Sequence, residues 1–169
     1  MSILKNTNLN SIICGILYCF PEEVLSIADG RSEYHKIITL VTGKTWKQIY
    51  FTPGSADFQE PQKIDDPGSV FEQKLKFVFP GENESNAITI SEISNRPILV
   101  LLTYNIGRAK FIGDLDNPAR LLPTVQTNPK VTNRQMEITC TAISTAKWMD
   151  TTGQSIPIPD DGNPGANMD

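Results

Sequence analysis

The sequence predicts a mainly β chain: a single β-sandwich or barrel-like domain of about seven strands with one or two short helices. Alternation from Phe71 to Phe79 places Phe71, Gln73, Leu75, Phe77 and Phe79 on one face of a strand, and Glu72, Lys74 and Lys76 on the other. The run "ILVLLTY" (98–104) is continuously apolar, which is typical of a strand covered on both faces. Hydrophobic residues make up 39% of the chain and charged residues 20%, so the composition indicates a globular protein.

The remaining elements follow from local patterns along the chain. "SIICGILYCF" (11–20) has about half of the ~20 residues that a membrane-spanning helix needs and lacks a cleavage motif, so it predicts a buried strand and not a signal peptide. "PEEVLSIADG" (21–30) starts with proline and glutamates and ends with glycine, which predicts a short helix.

"ENESNAITISEIS" (82–94) fits a strand and a helical turn equally. Pro123 limits 121–127 to an edge strand. The other predicted strands are 36–42, 45–52, 109–113 and 134–143.

The chain is predicted to form one domain with two extended ends. Residues 1–10 are polar and rich in asparagine, which indicates an N-terminal arm. The β-sandwich domain occupies 11–149 and includes a long loop at 53–69. Residues 150–169 are rich in proline, glycine and aspartate and cannot form a core alone, so they are predicted to be an extended C-terminal arm.

The long acidic loop and the C-terminal arm are the predicted interaction elements. A connection of this length between two strands is uncommon and is usually functional or disordered. Pro53, Pro61 and Pro67 stiffen the loop, and an apolar ring within it gains burial only from a neighbour. In the arm, isoleucines alternate with prolines, as in segments that add to a sheet edge or lie in a groove. The predicted contact residues are Asp57, Phe58, Glu60, Asp65, Asp66, Ile156 and Ile158.

Charge and composition disfavour nucleic acid as a partner. The net charge is −4 and the isoelectric point is about 5.0. Binding to phosphate backbones requires clustered lysine and arginine, which this chain does not have. We therefore expect no sequence-specific nucleic-acid binding and no membrane association.

The sequence carries no motif for catalysis or for a cofactor. His35 is the single histidine and lies in a polar stretch before a strand. A Ser or Cys nucleophile paired with a histidine base is therefore disfavoured. Cys14, Cys19 and Cys140 form neither a disulfide framework nor a zinc pattern. "DLDNPAR" (114–120) departs from the calcium-loop motif, and calcium binding by the acidic loops stays open. We expect no enzyme, no cofactor and no resident metal.

The second half of the chain resembles the small β-rich structural proteins of tailed bacteriophages and prophages, of the tail-tube, tail-terminator and neck class. The resemblance lies in "RPILVLLTYNIGRAKFIG", "DNPARLLPT" and "VTNRQMEITCTA", about a third of the chain. Such proteins build rings by joining sheets edge to edge and by arms that overlap neighbours. The resemblance implies contact roles for Asp57 to Asp66 and for the C-terminal arm, and no catalytic residues.

These observations lead to one expectation and two alternatives. The expectation is a structural subunit of a phage or phage-derived particle, assembled in the host bacterial cytoplasm. It would form a ring or tube with itself and contact other virion proteins through edge strands, the 53–69 loop and the C-terminal arm. The first alternative is a stand-alone β-sandwich module that binds a carbohydrate or protein ligand at the acidic loop. The second is an enzyme with an unrecognised carboxylate site.

Overall fold

The fold is taken from a computed structural model, which describes residues 12–65, 68–80, 84–94, 96–105, 107–128, 131–152 and 156–157. Strands make up 56% of the described residues, which confirms the predicted mainly β class. The single α-helix of the described ranges, α1, is Glu84–Ser94. The strands are β1 Ile13–Cys19, β2 Val24–Asp29, β3 His35–Leu40, β4 Lys47–Ile49, β5 Asp57–Gln59, β6 Gln62–Asp65, β7 Gly68–Pro80, β8 Leu99–Tyr104, β9 Ala109–Ile112, β10 Arg120–Asn128, β11 Val131–Ala142 and β12 Lys147–Met149.

The strands form two sheets. The seven-stranded sheet has the order β2-β3-β12-β9-β8-β1-β4 and curls into a half-barrel. The five-stranded sheet has the order β10-β11-β7-β5, and β6 pairs with β7 beyond the end of β5. All neighbours are antiparallel except β12 and β3, which run parallel. The two sheets meet where Ile98, just before β8, bridges to Ala119, just before β10.

The first core lies between the two sheets and α1. The strands β1 and β8 contribute alternate residues from one sheet, and β7, β10 and β11 contribute from the other. Ile90 and Ile93 of α1 close the side next to β10. The fully buried large side chains of this core are Ile16, Leu75, Phe77, Ile93, Ile98, Leu102, Ile112, Leu121 and Met136.

The second core lies on the opposite face of the seven-stranded sheet. Leu17 of β1 and Leu99 and Leu101 of β8 point to this side and are almost fully buried. Ile38 of β3 and Phe111 of β9 also belong to this core. Because β1 and β8 are buried on both faces, their sequences are continuously apolar and do not alternate.

The predicted helix at 21–30 is wrong. Pro21–Glu23 forms one 3₁₀ turn, and β2 follows immediately. Glu23 is buried, and its carboxylate accepts hydrogen bonds from the backbone N–H of Phe20 (3.0 Å) and from Lys47 Nζ (2.7 Å). The proline and glutamates that predicted a helix thus form only a single turn. The residues after it are extended because they pair with β3.

The predicted loop at 53–69 contains regular structure. Asp57–Gln59 is β5 and pairs with residues 74–76 of β7. Gln62–Asp65 is β6 and pairs with the start of β7 as a hairpin. Strands of this length are too short to give an alternation pattern, so their pairing partner decides their conformation.

A buried carboxylate ties the end of β12 to the turn after β2. Asp150 is 2% exposed, and it accepts hydrogen bonds from the backbone N–H of Arg31 (2.5 Å) and of Thr152 (2.8 Å). The Thr152 and Arg31 N–H groups favour the charged form and lower the pKa of Asp150 to about 2. Gly30 lies against this carboxylate: an added Cβ would lie 2.2 Å from Asp150 Oδ2. A glycine is therefore needed here for space.

Replacing Gly30 by alanine should destabilise the protein. The added methyl group collides with the Asp150 side chain, and overpacking of this kind costs about 1–3 kcal/mol. Urea unfolding of Gly30→Ala measures the loss in the free energy of unfolding. The control is Gly68→Ala, where nothing lies within 4 Å of the added Cβ. Equal stability of the two variants would contradict the close contact.

Asp150 should make stability depend on acid pH. A carboxyl with a folded pKa of about 2 and an unfolded pKa of ~3.9 stabilises the fold above the unfolded value. That contribution is lost as the pH falls from ~4 toward ~2. Asp150→Asn lacks it, so the difference in unfolding free energy between wild type and variant should shrink over this range. A difference that is independent of pH would argue against the lowered pKa.

Candidate functional site

The predicted contact residues of the 53–69 segment lie on β5 and directly after it. β5 is an edge strand of the five-stranded sheet. Asp57 is exposed, accepts a hydrogen bond from Gln59 Nε2 (2.9 Å) and lies opposite Lys76 in the register with β7. This carboxylate is therefore available at the sheet edge, with a lysine beside it.

Phe58 is not left unpacked on the surface. Its ring is partly buried and packs against the first core. Lys110 Nζ, on β9 of the other sheet, lies 5.1 Å from the ring centroid. The chain itself thus supplies the pocket that the sequence assigned to a neighbouring subunit, and part of the ring stays open to solvent.

Glu60 connects two distant parts of the chain. Its Oε2 accepts a hydrogen bond of 2.7 Å from the backbone N–H of Ala146, which precedes β12. Ala146 is buried, and no helix or strand holds its N–H group. Glu60 therefore satisfies a buried donor and anchors the segment after β5 to the domain.

The other predicted contact residues are only partly described. Asp65 ends β6, where its backbone pairs with Gly68. Ile156 is partly buried and packs against the second core. Asp66 and Ile158 lie outside the described residues. The N-terminal arm at 1–10 and the C-terminal arm at 150–169 stay predictions, and the described residues Asp150 and Ile156 of the latter contact the domain.

The outer side of β10 is the second edge of the five-stranded sheet. This strand has nine residues and pairs only with β11 among the described strands. Just before it, Ala119 exchanges two backbone hydrogen bonds (2.8 and 2.9 Å) with Ile98, on the side away from β11. Past this bridge, no described strand covers that side.

The direction of each backbone group on β10 follows from the Ala119 bridge. Successive residues of an antiparallel strand point their N–H and C=O groups to opposite sides. The backbone groups of every second residue after Ala119 therefore point away from β11. These residues are Leu121, Pro123, Val125 and Thr127. Pro123 occupies one of these positions, so its missing N–H removes no bond to β11. The edge thus offers donors at Leu121, Val125 and Thr127 to an added strand.

The outer face of the same sheet is polar and mixed in charge. Glu72 pairs with Lys63 (2.5 Å) and Lys74 (3.3 Å), and the Lys63 hydrogen bond outweighs desolvation and lowers the pKa of Glu72. Lys76 lies 3.9 Å from Glu137. Exposed pairs of this kind contribute little to stability. They do keep the face hydrated, so association through this sheet is favoured at its edge.

The side chains with catalytic or metal-binding chemistry have structural contacts. His35 is the first residue of β3, with Nδ1 2.7 Å from Ser32 Oγ and Nε2 2.8 Å from the Arg31 guanidinium. Burial raises the pKa of Cys19 to about 12 and of Cys140 to about 11, so neither thiol is activated. Among the described residues, no group of three or more histidine, cysteine or acidic side chains could hold a metal ion.

Comparison with known proteins gives no match: no family model, no curated protein and no solved structure is significantly similar to the chain. Across the described ranges, no helix has the length and apolar character that crossing a bilayer requires. Function therefore has to follow from the geometry and sequence patterns of the chain itself.

Truncating Phe58 should destabilise the isolated subunit. The ring is partly buried on the first core, so Phe58→Ala should cost about 1–2 kcal/mol, less than the ~3–5 kcal/mol of a fully buried ring. Thermal and urea unfolding of dilute protein measure this. Tyr50→Ala is the matched control, because Tyr50 is 57% exposed. If Phe58→Ala unfolds like wild type but associates more weakly, the ring serves a neighbouring molecule.

Proposed function

We propose that the chain is a non-enzymatic structural subunit of a phage or phage-derived particle, of the tail or neck type, that self-assembles into a ring or tube. The observation that supports this proposal best is the outer edge of β10, which pairs with no described strand beyond the Ile98–Ala119 bridge. An unpaired edge of nine residues is a template for an added strand. Isolated proteins usually shorten, cover or charge such edges or place proline on them, and β10 has one proline, Pro123.

The two ends of the five-stranded sheet suggest how copies associate. β10 is one edge, and β5 with β6 forms the opposite edge. Joining β10 of one copy to the β5–β6 edge of the next is a head-to-tail contact, which closes into a ring or continues as a tube. Each contact then continues the sheet by main-chain hydrogen bonds. In this arrangement Asp57 and Asp65 lie at the subunit contact, as the sequence suggested.

Side chains at the β10 edge are compatible with a neighbour. Leu122 is 52% exposed and points to the outer face, next to Glu137 in the register. On this proposal an adjoining strand covers it. Leu121 points inward and is buried in the first core, so the strand is held in position before any neighbour arrives. A pre-ordered edge lowers the entropic cost of association.

The sequence resemblance to phage tail and neck proteins supplies the biological setting of the proposal. It implies a virion location, assembly in the host bacterial cytoplasm, and contacts with other virion proteins. The alternative of a stand-alone binding module predicts a protein that stays monomeric. In that alternative the acidic 53–69 segment is the site, but Glu60 is already engaged with Ala146 and Phe58 with the first core.

Removing one outward donor from β10 should weaken association without breaking the fold. Val125→Pro deletes an N–H that points away from β11, so no hydrogen bond inside the sheet is lost. Size-exclusion chromatography with light scattering, over a range of concentrations, should show oligomers for wild type and at least a tenfold higher dissociation constant for the variant. Val125→Thr is the matched control, because it keeps the N–H group and the β-branched shape.

Two results would contradict the assembly proposal. Wild type that stays strictly monomeric up to high concentration would favour the binding module. Oligomers that tolerate Val125→Pro and Val125→Thr equally would show that β10 is not the contact. Circular dichroism of each variant confirms that the β fold is intact before association is compared.

A further inference from the structure

A polar cleft opens where β9 and β11 end and β12 begins. Its volume is about 190 Å³. The loop after β9 forms one wall, and residues 143–147, between β11 and β12, form the other. Gln73 of β7 is also part of the lining. The cleft is separate from the β10 edge, so it does not depend on the assembly proposal.

Gln73 is the unusual residue of this cleft. It occupies an inward position on β7, opposite Cys140 of β11, where its neighbours along the strand are apolar. The side chain is 2% exposed, and its Oε1 has no hydrogen-bond partner among the described residues. A buried carbonyl oxygen without a donor is costly, and most such groups have a partner. The Gln73 amide oxygen therefore lacks a donor within the described chain, and Gln73 is one of the residues that line the cleft.

The loop wall holds further acceptors in place. Asp114, Asp116 and Asn117 line the cleft. The turn is closed by a hydrogen bond from the Asp114 N–H to the Asn117 carbonyl (3.0 Å). Cys140 Sγ donates to the same carbonyl (3.1 Å) and fixes the loop to β11. The acceptors are thus preorganised on a fixed turn.

The rest of the lining is mixed. Lys36 and Lys147 bring donors, and Lys36 is also paired with Asp29. Ile143 is 82% exposed at the cleft, and Ile27 adds a second apolar contact. With Asp29 beside Lys36, the two lysines face three aspartates, so the cleft is close to neutral and has no strong preference for either sign of charge. A ligand that suits it both donates and accepts hydrogen bonds and has an apolar face.

We propose that this cleft binds a small neutral polyhydroxylated ligand, a single monosaccharide unit, with a hydroxyl donating to Gln73 Oε1. Hydroxyl groups donate to the aspartates and accept from the lysines, and the C–H face of a sugar ring packs against Ile143. The volume is below the roughly 300–1,000 Å³ of sites for drug-sized ligands, which fits one ring. The site is distinct from the acidic 53–69 segment.

The test is a titration of the full chain with D-glucose, D-galactose, D-mannose and N-acetyl-D-glucosamine, followed by two-dimensional amide NMR. At least one sugar should produce saturable shifts confined to 113–117, 144–147 and the neighbourhood of Gln73. Gln73→Leu removes the acceptor and should weaken binding at least tenfold. Gln135→Leu, the same change at an exposed position of β11, should leave the affinity unchanged.

The outcomes separate a ligand site from a buried water. Absence of saturable shifts with all four sugars, or shifts located elsewhere, would overturn the proposal. A buried water would then be the partner of the Gln73 amide. Equal affinity of wild type and Gln73→Leu would also overturn it. If Gln73→Leu does not fold, Asp116→Ala decides instead, because this exposed side chain lines the cleft and should also weaken binding.

Discussion

The rest of the fold depends on the burial of β1 and β8 on both faces. Their side chains alternate between the two cores, with Val100 and Leu102 on one side and Leu99 and Leu101 on the other. A sheet with two apolar faces needs a cover on each. The five-stranded sheet and α1 cover one face, and the curl of the seven-stranded sheet covers the other with its own outer strands. Two sheets of unequal size follow from this single requirement.

Much of the fold could be predicted because its longest strands carry local patterns. Alternation in β7 and β11 and the apolar run of β8 are visible in any short window, and Pro123 alone indicated that β10 is an edge strand. β2 and β5 could not be predicted. β2 is mostly exposed and follows helix-start residues, and β5 has three residues whose extended conformation depends on register with β7. Pairing between distant segments decides both.

The candidate site was less predictable, for the same physical reason. The roles of Phe58 and Glu60 depend on Lys110 and Ala146, which are far away in the sequence. An exposed-looking aromatic between carboxylates gives no sign that a distant lysine will cover it. Gln73 did carry a signal: a carboxamide in the inward register of an otherwise apolar strand face. A polar residue out of phase with its strand indicates either a hydrogen-bonded core group or a site.

The position of β12 has a kinetic consequence. This three-residue strand lies between β3 and β9, so it joins the β2–β3 hairpin to the remainder of its sheet. During translation the hairpin emerges early, but its neighbour β12 lies far later in the sequence and leaves the ribosome much later. Contacts so distant along the chain slow folding, because loop closure precedes any gain from them. The nascent protein therefore exposes unpaired strands until β12 has been made, and chaperone protection is most valuable during that interval.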